Sequence, residues 1–308
     1  MAAVSSDESD PRVSFLTVNF NQPEVTRELL ESLQQLTYPK WECIVVDNGS
    51  EPSRLPRYVE HYPQVSYFQT GENLGFAGGN NFGLAHCSGD FIFFINNDTE
   101  VPPGLLEPLL HLAAGQKSIG AISPRILYYH SPDRLQYAGT SALNPLTLRN
   151  ETRGHQCQDG PAFHVNEPTY FGHGAAMMVP RMVIERVGTM RSLYFLYYEE
   201  LDWMYRIRQA GFDIWYCGET YVWHKESIST GKNSPLKAYY LTRNRLLFAR
   251  LNFKGLQRLA NWLYFSLVAL PKNFLSYWLR GDKALARAVW RGYRWHWSYL
   301  HFNIGIRT

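Results

Sequence analysis

The sequence predicts an α/β fold: a mostly parallel sheet with helices on both faces, followed by a C-terminal helical region. Two observations carry that expectation. Over the first 125 residues, short β-rich runs alternate with helical patterns, and alternation at this spacing builds βαβ units. Three of those runs end in polar clusters, namely Asn19 with Asn21, Asp47 with Asn48, and Asn96 to Asp98. In open α/β sheets ligands bind at the carboxyl ends of the strands, so three such clusters at equivalent ends suggest one shared site.

The elements follow in order. The first eleven residues, MAAVSSDESDP, are small, polar and acidic and read as a disordered tail rather than a signal peptide. VSFLTVN (13–19) is a β-rich run. Pro23 then opens a helical pattern, with Val25, Leu29, Leu30, Leu33 and Leu36 on one face. WECIVVDNGS (41–50) and VSYFQT (65–70) are the second and third strands. The glycine-rich stretch GENLGFAGGNN (71–81) runs into a short helix ending near Cys87. FIFFI (91–95) is apolar enough for a strand buried on both faces. A helix over 105–114 and a strand over 118–124 complete the alternation. Residues 126–168 are less regular and read as a long insert or flexible arm. YFGHGAAMMVP (170–180) returns to strand and a helix starts near Pro180; in YFLYYEELDWMYRIRQAG (194–211) Leu201, Met204, Tyr205 and Ile207 recur at helical spacing until Gly211 ends the helix. FDIWYC and YVWH read as two short strands, and from Pro235 onward the pattern is helical. The expected division is a tail (1–11), a catalytic domain (12–234) and a helical region (235–308).

Composition narrows the function. The 308 residues are 45% hydrophobic and carry a formal net charge of +3, too small to imply a nucleic-acid partner. Cys43, Cys87, Cys157 and Cys217 are far apart and show no CxxC, which fits free thiols in a reducing compartment. No run reaches the ~18 apolar residues of a membrane-spanning helix, so a cytoplasmic chain is expected. No GxGxxG follows the first strand and no GK[ST] follows the glycine stretch, which argues against a dinucleotide oxidoreductase and a Walker loop.

Several residues carry chemistry. Asp98, at the end of a buried strand, suits a hard divalent cation with oxygen ligands, or alternatively caps a turn. Asp47 can accept hydrogen bonds from a ribose or a base, or simply form a turn. The glycines let backbone N–H groups approach phosphates. Glu199, Glu200 and Asp202 crowd one helix start among aromatic residues; partial desolvation there would raise a carboxyl pKa and make a better general base. His224 ends a strand and gains meaning if the fold returns it to Asp98.

The set TVNFNQPEVTRELLESL, IVVDNGS, ENLGFAGGNN, FINNDTEV, GAAMMVPR and YYEELDWMYRIRQAG resembles the family-2 inverting glycosyltransferases over residues 13 to 250, most of all the bacterial rhamnosyltransferase-like members that build surface polysaccharides. The resemblance implies a GT-A fold, a nucleotide-diphosphate-sugar donor, linked through dTDP or UDP, and Mg²⁺ or Mn²⁺. It places Asp47 at the nucleobase, Asp98 at the last position of the DxD motif and Glu200 at the general base, with Glu199 and Asp202 as substitutes. His224 matches a metal ligand of some members, beside Asn96, which stands where the first DxD carboxylate would be. The implied donor site gathers Asn19, Asn21, Asp47, Asn48, Asn73, Gly75, Gly78, Asn81, Asn97 and Arg243. The implied acceptor is lipid-linked or a polysaccharide; the rival reading is a non-catalytic GT-A subunit that binds nucleotide sugars or glycans. In the helical region Lys283, Arg287, Arg291 and Arg294 interleave with Trp290, Trp295, Trp297 and Tyr299. Such a segment fits a membrane surface at the inner face of the plasma membrane, through 255–300, or a cap on the catalytic domain or on a second subunit.

Overall fold

The computed structural model describes residues 10–51, 55–225 and 234–300, with the side chains of the last two excepted. Of the expected tail, 1–9 lie outside the described residues. The chain forms two compact units. The first takes in 10–142, 151–195 and 199–225; the second takes in 143–150, 196–198 and 234–300.

The first unit is a ten-stranded sheet covered by helices. Its elements in chain order are β1 (Val13–Asn19), α1 (Pro23–Leu33), β2 (Trp41–Asp47), α2 (Leu55–Val59), β3 (Val65–Gln69), α3 (Gly75–Leu84), β4 (Phe91–Ile95), β5 (Thr99–Glu100), α4 (Leu106–Gly115), β6 (Ile119–Tyr128), β7 (Ser131–Tyr137), β8 (Glu167–Thr169), β9 (Ala176–Pro180), α5 (Arg181–Val187), α6 (Glu199–Gln209) and β10 (Asp213–His224). The strand order is β3-β2-β1-β4-β9-β6-β10-β5, with β7 on β6 and β8 on β10. β3, β2, β1 and β4 run parallel, while β9 runs against β4 and β6. β1 and β4 are buried almost throughout, as strands covered on both faces must be. Phe15 and Phe93 meet at 5.1 Å between ring centroids, and Leu29, Leu30 and Leu33 of α1 close the core against them.

Two expectations need correction. The stretch read as a flexible arm is structured: β6 and β7 pair antiparallel, and Leu135, Tyr137 and Ala138 are buried in the core. The two strands expected at 212–217 and 221–224 are one, β10, whose pairing with β6 slips between Cys217 and Tyr221. Gly218 sits in that slip because a Cβ would lie 2.4 Å from the Phe163 carbonyl oxygen; a strand glycine marks a bulge or close backbone approach. The glycines of the 75–84 stretch begin α3 and lie along it. A Cβ on Gly79 would stand 2.9 Å from Val18, and one on Gly83 2.3 Å from Leu16, so these two let α3 lie close on β1 and β2.

Cys43, Cys87 and Cys217 are buried free thiols and Cys157 is an exposed one. Among the described residues no helix is long and apolar enough to cross a membrane.

The second unit is helical: α7 (Pro235–Asn252), α8 (Gly255–Tyr264), a π-helical turn (Phe265–Ala269), α9 (Leu270–Leu279) and α10 (Lys283–Leu300). Ser234 caps α7 by accepting from the Lys237 N–H at 3.2 Å. The π turn precedes Pro271, whose missing N–H and ring disturb the regular ladder one turn back. α10 lies on α7 at Gly292, where a Cβ would meet the Tyr239 carbonyl oxygen at 2.6 Å. It buries Ala286, Val289, Tyr293 and His296 and exposes Lys283, Arg287, Arg291 and Arg294. Its basic and buried residues are thus split between faces, while Trp290 and Trp297 stay on the exposed side.

Candidate active site

The strand order reverses direction at β1, which has β2 on one side and β4 on the other, and ligands bind at such switch points. Asn19 and Asp47 are level in the register and fully buried. Asn97 donates to the Thr26 hydroxyl at 3.0 Å, and that hydroxyl donates to Asn19 Oδ1 at 3.0 Å. Asn19 Nδ2 donates in turn to Asp47 Oδ1 (3.2 Å) and to Ser50 Oγ (3.1 Å), and the Tyr67 hydroxyl donates to Asp47 Oδ2 at 2.9 Å. Asn21, in the left-handed region at φ 55°, closes the row through its N–H to Ser50 Oγ at 2.8 Å. Each Asp47 oxygen has accepted one bond and keeps a lone pair for a further donor.

Asn48 and Asn81 do something other than expected. Asn48 spends its amide inside the protein, donating to Asn73 Oδ1 (3.2 Å) and the Gly75 carbonyl (3.0 Å) and accepting from the Leu74 N–H (3.0 Å). Asn81 donates to the Met190 carbonyl at 2.7 Å. Both brace loops. Asn73 Oδ1 also accepts from the Gly75 N–H at 2.9 Å. Gly75, at φ 72°, brings the chain so close to Phe195 that a Cβ would stand 2.3 Å from its carbonyl oxygen. A Cβ on Gly78 would meet the side chain of Leu74 at 2.7 Å.

At the end of β4, His224 Nε2 lies 3.1 Å from Asp98 Oδ1, with both side chains more than nine-tenths buried. The other ring nitrogen, Nδ1, is 2.7 Å from Gln136 Oε1. If Nδ1 carries the proton donated to Gln136, the Nε2 lone pair faces the Asp98 carboxylate. Two acceptors at that distance need a cation between them: a second proton on the ring or a metal ion. A hydrogen bond fixing the tautomer in this way is the usual setting of a metal-binding histidine. Asn96 Nδ2 is 3.5 Å from the same Nε2. Among the described residues no group of three or more His, Cys, Asp and Glu is placed to hold a metal. Two protein ligands nevertheless fit Mg²⁺ or Mn²⁺, which are commonly held by one or two carboxylates plus substrate phosphates.

The three carboxylates at the start of α6 have different fates. Asp202 is fully buried, bound by Arg191 at 2.7 Å and Arg206 at 2.9 Å, and takes a hydrogen bond from the Tyr194 hydroxyl at 3.0 Å. It is a structural anchor, which corrects its expected role as a substitute base. Glu199 is 3% exposed. Glu200 has a buried Oε2 with no hydrogen-bond partner, and burial pushes its carboxyl up from the ordinary range although the N–H groups of Glu200 and Leu201 oppose the shift. Its side chain lies over Gly174, where a Cβ would be 3.4 Å from Glu200 Cγ. The same short segment reaches β4, since the Ala175 carbonyl accepts from the Asn96 N–H at 2.9 Å. Next to Gly174, the His173 ring is 6.1 Å from that of His224. Glu200 and Asp98 therefore flank one segment, 173–175.

Residues 14–188, more than half of the chain, match the family described as glycosyl transferase family 2. The chain belongs to that family. This glycosyltransferase is 25% identical over 261 residues to the low-salt glycan biosynthesis hexosyltransferase Agl10 of Haloferax volcanii, covering 80% of this chain and 78% of that one. It is 26% identical over 252 residues to an N-acetylglucosaminyl-diphospho-decaprenol L-rhamnosyltransferase of Mycobacterium tuberculosis, covering 73% and 80%. Among solved structures, a mannosyltransferase of Pyrobaculum calidifontis in complex with GDP-Man and Mn²⁺ is similar at TM-score 0.56 and 15% identity, covering 96% of this chain and 77% of that one. The fold is GT-A.

Other residues of this family-2 glycosyltransferase take positions that the sequence reading missed. Thr26 stands on the apolar face of α1, at helical spacing from Leu29, Leu30 and Leu33, so a polar residue on a buried stripe was its signal. His173 lies between two glycines just before β9. Its Nδ1 accepts from the Ala175 N–H at 3.1 Å, and burial, then the neighbouring His224, lowers its pKa to about 3. Gln136 and Tyr67 gave no signal, because their partners are distant in sequence. Arg243, expected at the donor, belongs to the second unit, where its guanidinium lies 4.7 Å from the Tyr240 ring and 5.0 Å from the Trp295 ring.

Proposed function

We propose that this glycosyltransferase acts with inversion, moving a hexosyl or 6-deoxyhexosyl group, with rhamnose first to be tried, from a dTDP- or UDP-linked donor to a lipid-linked or polysaccharide acceptor. The observation that carries the reading is Glu200, a carboxylate with a burial-raised pKa and an unpaired oxygen, across the 173–175 segment from Asp98. Inversion needs one base, and a carboxylate with a raised pKa holds a proton better near neutrality. Glu200 takes the proton from the acceptor hydroxyl as that oxygen attacks the anomeric carbon. Asp98 and His224, with Asn96 beside them, would hold Mg²⁺ or Mn²⁺, and the cation would supply charge neutralisation for the leaving diphosphate. The row Asn97–Thr26–Asn19–Asp47 receives the nucleoside, Asp47 offering its remaining lone pairs to donors of the base or ribose.

The relatives support this reading: one is named for a decaprenol-linked substrate and a rhamnosyl group, and a similar structure holds a nucleotide sugar with Mn²⁺. Contact with a membrane surface belongs to the same proposal. Its structural support lies on α8, the π turn and α9 more than on α10. Leu256, Leu267 and Leu279 are 84%, 71% and 82% exposed, with Leu259, Leu263 and Leu275 also exposed. A helix with such residues at its surface suits an interfacial position.

The test is transfer from dTDP-rhamnose and UDP-hexoses to a prenyl-diphosphate-sugar acceptor with and without Mn²⁺, in wild type and Glu200→Gln. A wild-type protein that binds donor but neither hydrolyses nor transfers it would establish the non-catalytic reading.

A further inference from the structure

The second unit contains a cavity of about 330 Å³, at the small end of ligand pockets. Its walls include Leu241, Phe265, Leu270 and Val289, with the Tyr277 and Tyr293 rings among them. Two arginines also line it, Arg149 and Arg245. Arg245 is 7% exposed. It donates to the Thr147 carbonyl from Nε, at 2.8 Å, and from Nη2, and lies 4.6 Å over the Phe265 ring. No carboxylate among the described residues is within ion-pair distance of it. Sequence explains why: Asp282 is the sole acidic residue between 229 and 308, against many Lys and Arg. Burying a charge is costly unless it is paired, and here a second cation, Arg149, lowers the proton affinity of Arg245 further. The π turn supplies Phe265 and Ala269 to the wall, and such turns are common at functional sites.

We propose that this cavity binds the phosphate end of a lipid phosphate, with Arg149 and Arg245 on the phosphate oxygens and the first carbons of its chain against Phe265, Leu270 and Val289. Guanidinium groups match phosphate geometry, and the apolar part of the wall, Leu241, Phe265, Leu270 and Val289, suits an alkyl or prenyl chain. The volume admits a head and a short length of chain. The inference rests on the lipid-linked acceptor proposed above, but its test does not depend on transfer.

Isothermal titration of the full chain with geranyl phosphate, geraniol and inorganic phosphate reads the site directly. Geranyl phosphate binds at least about tenfold more tightly than either of the others, because each of them lacks half of the recognition. Arg149→Gln, at an exposed position, weakens geranyl phosphate by about tenfold and leaves geraniol unchanged. Arg245→Lys weakens it as well, and Ala269→Trp, which fills the cavity, removes binding. Circular dichroism confirms that each variant is folded; should Arg245→Lys fail that check, Arg149→Gln alone decides. Equal affinity for inorganic phosphate would mean a free-anion site and overturn the proposal. So would absence of geranyl phosphate binding, or an Arg149→Gln affinity equal to wild type. Intact binding with no sugar transfer would instead sink only the reaction proposed above.

Discussion

Glu200 and Asp202 stand two residues apart, and their replacement should have opposite effects. Glu200→Gln removes a carboxylate that burial disfavours. Because the folded pKa is raised, its contribution to stability is full below the unfolded value of about 4.3 and is lost as pH rises through the folded pKa. The variant escapes that loss, so its melting temperature should exceed that of wild type at pH 8 and match it near pH 4. Its transfer rate should fall about 10²- to 10⁴-fold. In wild type the acid limb of kcat/KM should lie above the ordinary glutamate range. Asp202→Asn breaks a buried pair with two arginines and should cost about 3–5 kcal/mol in urea unfolding. A destabilised Glu200→Gln with normal transfer would invert both assignments. The sequence made a carboxylate site legible here, and Arg206, four residues after Asp202, hinted at the anchor. Arg191 and Tyr194 lie before the helix, and no helical spacing points to them.

The elements divide by how local their causes are. The first four strands were readable because apolar runs and polar ends repeat along the chain. β10 read as two strands because Gly218 looks like punctuation; the bulge it allows is defined by carbonyls more than fifty residues earlier, Phe163 and Val165. β7 was lost because Ser131, Pro132, Asp133 and Arg134 look like a turn; among them only Ser131 is in register with β6, and the pairing resumes at Leu135 and Tyr137. Missing β7 also hid Gln136, the partner of His224. Gly218→Ala should therefore lower stability by about 1–3 kcal/mol, since the obstacle is backbone. Gly104→Ala, with nothing within 4 Å of its Cβ, serves as the control and should change urea unfolding little.

For the molecule as a whole, the basic charge and exposed leucines of the helical region predict how it partitions. Intact protein should bind anionic vesicles and be released as salt rises, each nearby Lys or Arg contributing about 1 kcal/mol. Replacing Leu256, Leu259 and Leu267 with Ser should abolish the part of binding that resists salt, whereas Arg287→Gln with Arg294→Gln should reduce only the salt-sensitive part. Co-sedimentation that ignores the leucines would return α10 as the surface involved. The fold carries a different constraint in its connectivity. Asn261 satisfies the carbonyls of Pro145 and Leu146, 116 and 115 positions earlier, and Arg245 that of Thr147, 98 earlier. Asn244 likewise holds the carbonyls of Leu196 and Tyr197. During synthesis these two early loops wait for α7 and α8 to leave the ribosome. In a genome, the helices and the loops form one linkage group, so the helical region cannot be traded by a single crossover. A chimera joined at 228/229 with a relative's tail should misfold, and carrying residues 143–150 and 196–198 along with the tail should rescue it.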